Sequence, residues 1–157
     1  MHHSTSSVPS SCSTFSLFLS LSLSLSVPLQ RAACLAAHLA AAPAADAVQC
    51  VFASAAAAAR GPTRRALETA APVARALAVH VRAEFDSGDT NELTDAIKAS
   101  PCAHALVVWE ADEMPLIMAK LGVAHVRDYP VERYDVVYTI RGGRVTESAQ
   151  PAECSFA

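Results

Sequence analysis

From residue 29 onward the chain alternates short apolar runs with stretches that repeat every three to four residues. That alternation admits few folds. The run ALVVW at 105–109 is β-branched, unbroken and bounded by His104 and Glu110. AVQCVFA at 47–53 is nearly as apolar. A strand with one wet face would place a polar residue at every second position, so such runs require cover on both faces. Strands covered on both sides and separated by helices define an α/β layer structure. The expected architecture is a three-layer sandwich with a mostly parallel central sheet.

The helices follow from periodicity and punctuation. Residues 30–42 form an alanine-rich helix with Leu35 and Leu39 four apart, stopped by Pro43. Residues 63–79 form a second, in which Pro72 predicts a kink or break near Ala71. Residues 80–85 read as a strand. Asp89 and Glu92 have capping-box spacing, with the Asp89 carboxylate accepting from the Glu92 N–H at the start of a third helix. Residues 112–121 make a short helix ended by Gly122, which tolerates a left-handed backbone. The strand at 134–140, the Gly142-Gly143 turn and a return strand at 144–146 read as a hairpin, added as an antiparallel edge.

Residues 1–28 differ from all of this. Eleven of the 28 are serine, none is charged, and residues 19–26 alternate Leu and Ser strictly. Three origins fit. A targeting peptide would be acid-free and serine-rich, although the segment lacks the Lys or Arg such peptides carry. A CTCTCT repeat read in frame encodes Leu-Ser, which makes untranslated DNA read as protein the second. A disordered tail is the third. The first sends the chain to an organelle or the secretory route and the second leaves a cytoplasmic protein. All three place 1–28 outside the fold, and they predict a domain at 29–148 and a C-terminal tail at 149–157.

Of the 27 Lys, Arg, Asp and Glu residues, only Arg31 precedes Asp46. The net charge is −3, and no basic stripe exists to neutralise phosphates, which argues against nucleic acid as a partner. No apolar run reaches transmembrane length. The five cysteines, Cys12, Cys34, Cys50, Cys102 and Cys154, are widely spaced, odd in number and lack a C-x-x-C pair. They read as reduced thiols rather than a disulfide framework or a zinc site. The histidines are equally scattered, so neither a metal site nor a cofactor is expected.

The chemistry-bearing stretch is G-P-T-R-R-A-L-E-T-A-A-P-V-A at 61–74. An arginine in the first turn of a helix that leaves a strand is placed to meet an anion: free N–H groups and the helix dipole favour negative charge, and guanidinium grips phosphate bidentately. Pro62, Arg65, Thr69 and Ala70 form P-x-x-R-x-x-x-T-A, which resembles the S-P-x-x-R-x-x-x-T-A motif of the histidine phosphatase superfamily, the phosphoglycerate-mutase-like group. Gln30-Arg31-Ala32 with its helix is similar to the segment before that motif. ALVVWEADEMPLIMAKLGV resembles the segment bearing the family's second catalytic histidine, in its L-V-x-W-E-H-x-x-I-P form. Tyr134-Asp135-Val136-Val137-Tyr138 is similar to the strand that follows. The resemblance covers roughly residues 29–146, in order.

It implies a phosphoryl-transfer site in which a histidine of an Arg-His-Gly motif, ending the first, central strand, attacks phosphorus. Two arginines and a second histidine neutralise the phosphate oxygens. Phosphate binding would fall to Arg65, with Thr69, Trp109 and Glu110 around the pocket and a phosphorylated small molecule or phosphoprotein as partner. The departures are large. No Arg-His-Gly occurs, the first strand is expected to be missing, and Ala111 stands where the second histidine would be. Gly61 or the distant Ser54 takes the place of the motif serine. Losing a covalent nucleophile costs, by analogy, about 10⁶ in turnover.

No other residue replaces these groups. His104 and His80 open their strands, the wrong end for a site at strand C-termini, and His38 lies within a helix. His125 sits in a loop. Asp112 and Glu113 would repel phosphate, and their plain reading is helix N-terminal acids. Glu84 and Asp86 lie where some relatives place an acid. Trp109 reads as core or pocket wall. The expectation is a phosphatase-like domain without catalysis. A fragment of an active phosphomonoesterase and an unrelated α/β binding module are the alternatives.

Overall fold

A computed structural model of the chain describes residues 14–18, 27–55, 65–130, 133 and 135–154. Ten regular elements follow in order: β1 (Thr14–Phe18), α1 (Val27–Ala40), β2 (Cys50–Ala55), α2 (Arg65–Ala76), β3 (Val81–Asp86), α3 (Thr90–Ala99), β4 (His104–Val108), α4 (Met114–Lys120), β5 (Val136–Arg141) and β6 (Arg144–Ala149). The strands form one six-stranded sheet in the order β3-β2-β4-β1-β5-β6. The first four run parallel, and β5 and β6 are antiparallel. The fold is α/β, as the alternation requires.

Two cores lie on opposite faces of this sheet. Val51, Ala53, Leu106 and Val108 pack with Leu35 and Ala36 of α1 and with Ala70 and Val73 of α2. Phe52, Val107 and Trp109 point the other way, onto Leu93 and Ile97 of α3 and Ile117 of α4. Successive residues of β2 and β4 thus enter different cores, which is why their sequences are apolar throughout. Burying each of these large aliphatic side chains contributes about 1.5–3 kcal/mol.

The expectation that nothing before residue 29 joins the fold, and that the sheet lacks its first strand, is corrected. β1 lies at the centre, with Phe15 opposite Ala105 and Ile140 and Phe18 opposite Val108 and Val137. Its backbone pairs the inner edges of β4 and β5, which would otherwise be left open. The Leu-Ser repeat at 19–26 lies outside the described residues.

The thiol expectation is corrected as well. Cys34 is joined to Cys154 and Cys50 to Cys102, with Cα separations of 5.4 and 6.0 Å. The partners are 120 and 52 residues apart, so no local spacing betrays them. Within the expected C-terminal tail, residues 149–154 are tied to the domain. The Gln150 N–H donates to the Asp135 carbonyl at 2.6 Å, and a short 3-10 turn at Ala152–Cys154 delivers the buried Cys154 to α1.

Three local expectations also shift. α2 runs through Pro72 to Ala76 without a break at Ala71. The proline removes one ladder bond, to the carbonyl of exposed Glu68, where water can replace it, and Ala66, Ala70, Val73 and Ala74 hold the helix to the sheet. Asp89 precedes α3 without capping it through its side chain. Its carboxylate instead accepts the Asp86 N–H at 3.1 Å, tying down the end of β3. α4 starts later than residue 112, at Met114. It ends as expected at Gly122, which takes φ +88°.

Candidate functional site

Parallel strands present their C-terminal ends together, and here those ends are occupied by a carboxyl group. Val108 lies opposite Phe18 of β1 on one side and Ala53 of β2 on the other. The next residues along are Ser54, Trp109 and Glu110. Ser54 is fully buried, and its Oγ donates to Glu110 Oε1 at 2.9 Å. Oε2 of the same carboxyl is buried without a hydrogen-bond partner among the described residues. Burial holds the Glu110 carboxyl above the ordinary carboxylate range; the Ser54 bond opposes that shift, and Glu113 and Asp112 add to it.

Trp109 belongs to the core rather than to an open wall, with no exposed surface. Its indole N–H donates to Glu113 Oε2 at 2.6 Å, and the Gly88 N–H donates to the same oxygen at 3.0 Å. Glu113 therefore straps the loop after β3 to the end of β4. Ala111, at the position of the second histidine, is half-buried against the same core and offers only a methyl group.

Arg65 opens α2, exposed and without an ion pair among the described residues. A helix crossing over between parallel strands runs back along them, so its N-terminus lies at the same end of the sheet as Ser54 and Glu110. Thr69, one turn further, is buried beneath the helix. Among the described residues no hydrogen bond joins Arg65 or Thr69 to the Ser54–Glu110 pair. Gly61 and Pro62 of the motif lie outside the described residues. The four residues singled out for the pocket thus fall into two groups. Trp109 and Glu110 share the strand end, and Arg65 and Thr69 share the helix.

Among the described residues the remaining candidates make no hydrogen bond to the Ser54–Glu110 pair. Glu84 accepts from Arg82 Nε and Nη2 at 2.8 and 2.6 Å. Asp86 and Asp112 are exposed. His104 starts β4 and His80 immediately precedes β3, both at the opposite end of the sheet from Glu110. His38 is exposed on α1, and His125 is exposed in the loop after α4. Among the described residues no group of three or more His, Cys, Asp and Glu side chains could hold a metal ion, and no helix is long and apolar enough to cross a membrane.

The Ser54–Glu110 bond joins residues 56 apart and was not foreseen. Its only signal in the sequence is that each is the first polar residue after an apolar strand run. Chemically, a buried carboxyl beside a hydroxyl can hold a proton. No protein-family model and no curated protein matches the chain.

Proposed function

We propose that this chain is a phosphate-binding domain of the histidine-phosphatase type that has no phosphatase activity. One observation supports the reading above the others: β1 lies in the middle of the sheet, parallel to β4 and antiparallel to β5, and its C-terminal end lies level with the turn into Trp109-Glu110. A nucleophile at the end of that strand would face the residues that follow β4. In this sequence Phe18 is followed by Leu19-Ser20-Leu21, and Trp109-Glu110 by Ala111. A phosphoryl group carries about two negative charges and must be held in line by fixed cations. Arg65 is the one cation of the expected set that remains. It can bind phosphate from a small molecule or a phosphoprotein, and the acids Glu110, Asp112 and Glu113 near the strand end weaken that binding.

Orthovanadate and p-nitrophenyl phosphate test the proposal on the full chain. Vanadate should raise the Tm of the parent protein by more than it raises that of Arg65→Ala, with no hydrolysis of the ester by either. An equal rise in both removes Arg65 from the site. Turnover that follows the protein through purification overturns the loss of activity.

A further inference from the structure

A second cleft lies away from the strand ends, between the loop that follows α4 and the β5–β6 hairpin. Its volume is about 430 Å³, and Val123, His125, Arg127, Tyr138, Arg144 and Val145 line it. That size is within the range of small-molecule sites. The Val123 and Tyr138 side chains are buried, so part of the lining is apolar. The hairpin closes on the loop at one end: a Cβ at Gly143 would lie 2.8 Å from the Gly122 carbonyl oxygen.

Arginines without an ion pair among the described residues also occur at Arg65 and Arg75, but this cleft brings two of them to one lining. Arg82, Arg133 and Arg141 each face a carboxylate. Arg127 and Arg144 line the cleft and have no ion pair among the described residues. Glu147 is the single acid in the lining, and it is drawn towards Arg133, 3.4 Å from Nη1. Two arginines on the lining of one cleft give it a positive potential that a bound anion lowers. One guanidinium saturates the two oxygens of a carboxylate, whereas two arginines with His125 match the three free oxygens of a phosphate.

We infer that this cleft binds a small phosphate monoester with an apolar body, its phosphate on Arg127 and Arg144 and its body against Val123, Val145 and the Tyr138 ring. The site is separate from Arg65 and does not depend on the preceding proposal.

Titration of the full chain with phenyl phosphate, followed by protein NMR shifts, tests it. Read from the shifts of Val123, His125 and Val145, binding should be saturable, about tenfold or more weaker in Arg127→Ala/Arg144→Ala, and unchanged in Arg65→Ala. Both cleft arginines are exposed, so the double variant should melt as the parent does. Benzyl alcohol should not compete. Absence of saturable binding, equal affinity in the double variant, or equal binding of benzyl alcohol overturns the inference. Loss of binding in Arg65→Ala alone places the phosphate at α2, which refutes the cleft and supports the earlier reading.

Discussion

The Ser54 hydroxyl and the Glu110 carboxyl, 56 residues apart, meet at 2.9 Å where β2 and β4 end. The hydroxyl satisfies one carboxyl oxygen, and the other is buried without a partner among the described residues. Removing a carboxylate from water disfavours its charge, and one neutral donor does not compensate. The C-terminal end of the sheet therefore holds a carboxyl group that keeps its proton to higher pH than a free glutamate does.

A pH dependence of stability follows. The folded-state value is raised above the ordinary 4.5, so the folded protein binds this proton more tightly than the unfolded chain. The resulting stability is fully present below the unfolded value and is lost as pH rises through the folded one. Glu110→Gln removes that loss. The variant should melt higher than the parent at neutral pH and converge with it in acid, in melts between about pH 4 and about pH 8. Parallel curves across that range would show that burial does not govern this group.

The two disulfides close loops of very different length. Removing Cys34–Cys154 with a double serine variant should cost about 4–5 kcal/mol, and removing Cys50–Cys102 about 4 kcal/mol. Reductant should lower the Tm of the parent accordingly. Thiol labelling under denaturing conditions should count four more thiols after reduction than before. An unchanged count refutes both pairings.

Deleting residues 1–26 removes β1 and leaves the facing edges of β4 and β5 unpaired in the middle of the sheet. Exposed inner edges recruit other chains. The truncated protein should aggregate or lose its cooperative melt, as judged by light scattering and calorimetry. A monomer that melts cooperatively would show that the sheet does not need β1.

Gly142 and Gly143 both adopt positive φ, at +52° and +74°. They differ in space. A Cβ on Gly142 meets nothing within 4 Å, whereas one on Gly143 meets the Gly122 carbonyl oxygen at 2.8 Å. Gly142→Ala should cost about 1 kcal/mol from backbone strain alone. Gly143→Ala should cost about 2–3 kcal/mol, because the hairpin must also move off the loop. Urea denaturation would compare them, and equal costs would contradict the close approach.

Much of the layer structure is legible in residue order. ALVVW identifies β4, Gly142-Gly143 marks the hairpin, and Gly122 ends α4, because each rests on local backbone preference or on the period of apolar side chains. The same logic misplaced the N-terminus. The Leu-Ser repeat has the more conspicuous period, yet Thr14–Phe18, an ordinary β-forming segment, is the strand, and nothing local says that such a segment completes a sheet. The Asp89 side chain shows the limit on a smaller scale, since capping-box spacing does not choose between the Glu92 and Asp86 N–H groups.

By itself the sequence determined the α/β class, the order of helices and strands from residue 29, and the absence of an Arg-His-Gly nucleophile. Tertiary structure alone decided that β1 lies between β4 and β5, that Cys34 meets Cys154, that Glu110 finds Ser54, and that Arg127 and Arg144 share a cleft. The first set depends on contacts within a few residues. The second depends on which edges, thiols and charges remain unsatisfied once the layers have closed, and residues more than 50 apart come to share one environment only then.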